Sequence, residues 1–191
     1  MKDLDNTNEH YARLLGLEYP WQVESVKLDI KQAEVVIEVE YDVFTEVPCP
    51  ECGANCVLYD HAETRIWRHL DTMQFKTFLR ARVPRGNCKE HGIKTIKASW
   101  SEPYSRFTLL FTKFSIDVIL ACKSLSDASR LLGLSWDELH SIQERAVNRG
   151  LSRRREEKIK YLGIDEKSFK KNRVFVTVLN DLDRGRVLDL S

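Results

Sequence analysis

No apolar run in this 191-residue sequence approaches the roughly 20 residues that a membrane span requires, which argues against a spanning segment. The opening stretch, MKDLDNTNEHYARLL, is polar and acidic and lacks the apolar core of a secretory signal, so a cytoplasmic location is expected. Full disulfide pairing also fits poorly, because the cysteines number five. In a reducing compartment, clustered cysteines more often serve as metal ligands or catalytic groups. Net charge is nearly absent at +1, yet its layout is uneven. Residues 1–60 carry 13 acids and 4 bases, residues 62–97 carry 9 bases and 3 acids, and residues 149–173 carry 10 bases and 4 acids. A neutral total therefore leaves room for a polyanion partner: the two basic segments could be a phosphate footprint or simply solvated faces.

The first hundred residues read as β-rich. HYARLLGLEY suggests a short helix weakened or ended at Gly16. Val23, Val26 and Leu28, then Val35, Ile37 and Val39 at a period of two, flank DIKQAE and predict a two-stranded hairpin with one polar face. ETRIWRHLDT and FKTFLRARVPRGN predict further strands. A module of this size has a small core and commonly needs a metal or disulfides.

The cysteines supply the metal reading. Cys49-x-x-Cys52 is followed by Gly53, and Cys88-x-x-His91 by Gly92. Each two-residue spacer lets both side chains of a pair turn inward on one tight loop, and glycine suits the sharp turn that follows. Cys49, Cys52, Cys88 and His91 make a Cys₃His set for tetrahedral zinc, with Cys56 as a possible substitute and His61 or His69 as possible replacements for His91. The long gap between the pairs calls for hairpin structure within it. Four protein ligands leave no open position for a catalytic water, so the zinc is expected to be structural.

After Pro103 the pattern turns helical. A first helix is predicted from about Phe107 to Cys122, with Leu109, Leu110, Phe114, Val118 and Cys122 on its apolar stripe. A second is predicted to open on Ser126 as N-cap and to end at Gly133. A third opens on Ser135, with Glu138 completing a capping box, and carries Trp136, Leu139, Ile142 and Ala146 as its stripe. Small Ser129, Leu132, Gly133 and Leu134 between two such helices match a helix-turn-helix template. Its second helix would present Ser135, Asp137, His140, Ser141 and Glu144 toward a major groove. Asp137 and Glu138 would repel phosphate but suit the helix dipole. The expected DNA-contacting set is Ser135, His140, Ser141, Arg145, Arg149, Arg153 and Arg154.

NRGLSRRREEKIK reads as a basic linker. Three strands then form a meander: Tyr161, Leu162 and Ile164 lead to Asp165, Asn172 and Arg173 turn, Val174 to Leu179 form the second strand, and Val187 to Leu190 begin the third after NDLDRGR. A ribonuclease-H-like fold begins in the same way. If the first strand runs through both acids, Glu166 faces away from Asp165. Three apolar strands without partners are an aggregation hazard.

Nearly the whole chain, through CPECG, WRHLDT, RVPRGNCKEHG, SRFTLLF, SRLLGLSWDE and YLGIDEKSF, resembles the bacterial insertion-sequence transposases of the ISL-three type. The resemblance implies a zinc finger and a helix-turn-helix that grip double-stranded DNA at the element's terminal inverted repeats. It also implies a ribonuclease-H-like nuclease that cuts and joins DNA with two Mg²⁺ ions, Asp165 being the first acid of its DDE triad. Such a metal pair needs several converging carboxylates. Asp181, Asp183 and Asp189 follow Asp165 too closely, so the second and third acids would lie beyond residue 191.

The expected class is thus α+β. A small β-rich module spans residues 1–103, with its zinc finger at about 47–95. A helix-turn-helix follows at 104–150, a basic linker at 151–160, and the first strands of a truncated ribonuclease-H-like domain at 161–191. The expected role is a DNA-binding transposase fragment in the bacterial cytoplasm, associated with the nucleoid and unable to transpose alone, with full-length transposase or a second copy as further partners. Mg²⁺ would belong only to the complete enzyme. The rival is a zinc-containing helix-turn-helix transcriptional regulator, against which YLGIDEKSFKK stands because it has no clear purpose there. A finger that contacts protein is a third reading. Trp67 and Trp100 flank that module, and such tryptophans are more often core than interface anchors.

Overall fold

The computed structural model describes residues 2–155, 157–170 and 174–190, and the chain divides into two units, Met1–Ala146 and Val147–Ser191. The turn expected at Asn172 and Arg173 lies outside the described residues. Among the described residues the architecture is α+β, mostly sheet with four helices.

In the first unit, helix α1 (Lys2–Leu15) ends at Gly16 and leads to strands β1 (Trp21–Asp29) and β2 (Glu34–Tyr41), the expected hairpin. Strands β5 (Arg65–Thr72) and β6 (Phe75–Ala81) form a second hairpin, and β6 lies parallel to β2, giving the order β1-β2-β6-β5. β2 alternates cleanly: Val35, Ile37, Val39 and Tyr41 are buried. Their layer meets Trp21, Trp67 and Trp100, whose rings pack edge to face at 4.7 Å (Trp21–Trp100) and 5.4 Å (Trp67–Trp100). Such aromatic pairs contribute about 0.5–1.5 kcal/mol each beyond area burial. Trp67 and Trp100 are therefore core residues.

A second sheet, β3-β4-β7-β8, carries the cysteines: β3 (Val47–Pro48), β4 (Asn55–His61), β7 (Pro84–Cys88) and β8 (Gly92–Thr95). The β5–β6 hairpin fills the long gap between the two ligand pairs but belongs to the other sheet. FKTFLRARVPRGN divides after Ala81: Val83 is buried and Pro84 opens β7, so the chain crosses between sheets there.

Three helices follow: α2 (Leu109–Ala121), α3 (Leu125–Leu132) and α4 (Trp136–Ser152). Three details differ from the sequence expectation. α2 buries Phe111, Thr112 and Ser115, while Leu109, Leu110 and Phe114 of the expected stripe are exposed. Apolar residues occur on more than one side of α2, and two of its three buried positions, Thr112 and Ser115, are polar, so apolar periodicity could not choose its face. Phe107, Phe111 and Ile142 form the packed cluster instead, against Leu70 of β5. α3 is capped by Ser124, not Ser126: the Ser124 hydroxyl accepts from the Asp127 amide at 3.2 Å and donates to its carboxylate at 2.7 Å. Finally, Trp136 of the expected α4 stripe is exposed, whereas Leu139 and Ile142 are buried.

The second unit holds β9 (Leu162–Lys170), β10 (Val174–Asp181) and β11 (Arg186–Leu190), antiparallel in the order β11-β10-β9. Asp181 is buried at the β10–β11 turn. Its carboxylate accepts from the amides of Asp183 and Arg184 and from Arg186 Nε, so it braces the hairpin. Ile164, Phe175 and Val187 are exposed.

Candidate metal centre and nucleic-acid interface

Two tight loops build the metal centre. After Cys49 the chain turns back, with Gly53 N donating to Cys49 O and Cys49 N to Ala54 O, both at 2.9 Å. Gly53 (φ +73) and Gly92 (φ +67) take the left-handed conformation just beyond each ligand pair, which glycine adopts without strain. The β4–β7 pairing then brings the loops together. Cys49 Sγ lies 3.8 Å and Cys88 Sγ 3.6 Å from His91 Nδ1, and Cys52 Sγ lies 3.7 Å from Cys88 Sγ. All four donor atoms fall within 4.8 Å of one another.

These distances match the edges of a zinc tetrahedron. With Zn–S near 2.3 Å and Zn–N near 2.05 Å, an S···S edge is about 3.8 Å and an S···N edge about 3.6 Å. Backbone N–H groups of His91 and Glu90, together with the His91 ring, hold the Cys88 thiol down to about 6, with the His91 amide the largest cause. A metal takes the thiolate, so this favours loading at neutral pH. His91 Nε2 faces Glu51 Oε2 at 3.6 Å, and Glu51 is itself held by Lys94 at 2.6 Å. A carboxylate behind a ligating imidazole fixes its ring and tautomer. The substitutes are not in this donor set, although Cys56 packs against Cys49 and Cys88 beside it. Cys56 donates to Ala54 O at 3.3 Å, His69 contacts Thr108 Oγ1 at 2.9 Å, and His61 sits on β4 opposite Pro84.

Around α3 and α4 the turn is closed by short contacts. Gly133 is left-handed (φ +62), Leu134 N donates to Ser129 O at 3.1 Å, and Ser129 Oγ to Leu134 O at 2.6 Å. Ser135 and Glu138 form the reciprocal capping box: Glu138 N donates to Ser135 Oγ at 3.2 Å and Ser135 N to Glu138 Oε2 at 2.9 Å. Ala128, Leu132 and Leu139 lock the two helices together.

Ser135, Asp137, His140 and Glu144 are exposed, and Ser141 is half-buried. Arg145 turns back, donating to Pro103 O at 3.1 Å and approaching Glu102 at 3.7 Å. Arg149 lies in the last turn of α4. In the second unit Arg153 is exposed, and Arg154 donates to Leu188 O. Sequence reasoning missed the half-exposed Trp136, whose indole stacks on the His140 imidazole. It also missed exposed Arg106, which reaches Glu138 at 3.9 Å. Asp165 is exposed in mid-strand opposite Val178. Among the described residues, no other carboxylates gather with it into a cation-binding group. None of the described helices is long and apolar enough to cross a membrane.

Comparison with known proteins joins these two constellations. Residues 45–91 match the family model described as the zinc-finger of transposase IS204/IS1001/IS1096/IS1165, and residues 96–147 match the helix-turn-helix domain of transposase family ISL3. The transposases for insertion sequence element IS1557 of two Mycobacterium tuberculosis strains, CDC 1551 / Oshkosh and H37Rv, are 27% identical to this chain over 190 residues, covering 93% of it. The chain spans 41% of the length of these relatives. No solved structure matches it.

Proposed function

Because the chain belongs with the ISL3-type transposases, whose zinc ribbon and helix-turn-helix it carries, we propose that it is the DNA-binding part of such an enzyme, recognising the terminal inverted repeats of its element. The observation that carries this reading is the closed turn and capping box between α3 and α4, within the matched helix-turn-helix region. Zinc held by Cys49, Cys52, Cys88 and His91 stabilises the ribbon and takes no part in chemistry. The DNA-facing residues are Ser135, His140 and Ser141 at the start of α4, with Arg149 and Arg153 reaching phosphates. Arg145, Arg149 and Arg154, each engaged within the protein, must exchange those contacts to do so. In this reading Asp165 is the first catalytic acid of the complete enzyme and the chain alone is not expected to transpose: a pair of Mg²⁺ ions needs converging carboxylates, and among the described residues none gathers with Asp165. Its site of action is the bacterial cytoplasm, at the nucleoid, with full-length transposase or a second copy as further partners.

The test is binding to labelled duplexes that carry the terminal repeats, against random duplexes, over a salt series with and without chelator. Specific binding that falls with salt, by a log–log slope of about −0.9 per phosphate contacted, and that chelation abolishes is expected. Equal binding to repeat and random duplexes by the zinc-loaded chain refutes end recognition.

A further inference from the structure

Of the four tryptophans, Trp67 is 0% exposed, Trp100 6% and Trp21 8%. Trp136 is 49% exposed. It occupies the first position of α4, directly after the capping serine. Its indole lies against the imidazole of His140, one turn on, with ring centroids 4.8 Å apart and planes inclined by 14°. Residues four apart on a helix share a face. The stack therefore holds both rings together on an exposed side of the helix, flanking the face that buries Leu139 and Ile142.

The neighbours narrow what this pair can do. Arg145 is the one cation in the first ten residues of α4, and it is turned back onto Glu102 and the Pro103 carbonyl. The commonest specific base contact, a guanidinium on guanine, is therefore not offered by the outward face of these turns. That face offers Trp136 and His140, Ser135 and the half-buried Ser141, and the acids Asp137 and Glu144. In helix-turn-helix proteins the N-terminal residues of the second helix meet the base edges. Resting on the DNA-binding reading above, we infer that the stacked Trp136–His140 pair is the sequence-reading element of α4. The indole takes the apolar contact that a thymine methyl offers in the major groove. The imidazole, held by the stack, hydrogen-bonds a base edge beside it. Specificity in this protein is thus led by an aromatic pair, and phosphate contacts supply only the sequence-independent share of binding.

The arrangement carries its own probe, since Trp136 is the only tryptophan open to solvent. Duplexes are first selected from a random-sequence pool by capture on the zinc-loaded full chain. Acrylamide quenching of tryptophan fluorescence is then measured alone, with a selected duplex, and with a scrambled one. The quenchable signal should disappear in Trp136→Phe, become shielded by the selected duplex, and stay open with the scrambled one. Trp136→Ala should weaken binding to the selected duplex about 10-fold or more and leave scrambled-duplex binding unchanged, with a smaller loss for His140→Ala. Circular dichroism confirms that both variants fold. A selected duplex that binds while Trp136 stays fully quenchable overturns the inference and leaves the DNA-binding reading intact. An unchanged specificity ratio in Trp136→Ala does the same. Shielding of Trp136 with rising protein concentration and no DNA assigns the pair to a protein interface instead. Failure of the folded, zinc-loaded chain to enrich any duplex overturns the DNA-binding reading, and this inference with it.

Discussion

His69 should make the stability of this protein fall as the pH drops below neutrality. Its Nδ1 lies 2.9 Å from Thr108 Oγ1, and the same hydroxyl oxygen accepts from Phe111 N at 3.2 Å as the N-cap of α2. The same hydroxyl can donate to an unprotonated Nδ1 or accept from a protonated one, so burial rather than this bond sets the ring's charge. Burial, and then the adjacent Arg68 charge, push His69 from an ordinary 6.5 to about 4. A depressed histidine binds its proton more weakly folded than unfolded. Its stabilising contribution is therefore fully present above pH 6.5 and is lost as the pH falls from 6.5 toward 4. Those two values give a loss of about 1.9 kcal/mol between pH 7.5 and 5.0, and the partial exposure of the ring reduces this to about 1 kcal/mol. Urea denaturation at a series of pH values reads it, with His69→Gln as reference. Zinc release in acid affects both proteins, so the quantity of interest is the difference in slope. Parallel stability curves for wild type and His69→Gln, within about 0.3 kcal/mol over that range, would refute the neutral buried imidazole.

Three other outcomes follow from the packing. Leu139→Ala, at a fully buried position between α3 and α4, should cost about 2–5 kcal/mol in thermal or urea unfolding and should weaken DNA binding through loss of the inter-helix lock. Gly86→Ala should destabilise the ribbon by about 1–3 kcal/mol, because the added Cβ would sit 3.1 Å from both Cys56 Cβ and Val47 Cγ1; a neutral result would mean that Val47 moves freely. Cys88→Ser should abolish stoichiometric zinc binding by metal analysis, whereas Cys56→Ser should retain one zinc per chain, since Cys56 stands outside the tetrahedral set.

Several features were legible because local rules and tertiary packing agree. The β1–β2 hairpin follows from alternation, and the Ser135–Glu138 box from its S-x-x-E spacing. The failures came where two local rules competed or where a partner far along the chain decided. KSLSDAS offers two serines as caps, and Ser124 is chosen because Asp127, three residues on, completes the box. That S-x-x-D spacing was available in the sequence. The inward face of α2 was not: Ser115 is fully buried among apolar neighbours because its hydroxyl bonds back to Phe111 O at 2.8 Å, which removes the usual objection to a buried serine. Nor could periodicity reveal that β2 pairs in parallel with β6, some forty residues on, or that Trp136 continues an apolar pattern yet faces outward.

The uneven charge layout has a related explanation. The acids of residues 1–60 and the bases of residues 62–97 meet across strands and loops: Glu38 with Arg80, Asp60 with Arg85, and Glu51 with Lys94. Within the basic segment itself, Arg68 pairs with Asp71 and lies over the Phe78 and Phe111 rings, where it joins β5 to α2. Part of the first basic segment is therefore folded against its own counter-charge. An excess of one sign in a sequence segment becomes a polyanion site only if the fold leaves it uncompensated, and here four of the nine bases are compensated. A ribbon of this kind holds position through its metal and its ion pairs. On the proposed DNA-binding reading, discrimination between sequences is left to the outward face of α4, where Trp136 and His140 stand among serines and acids.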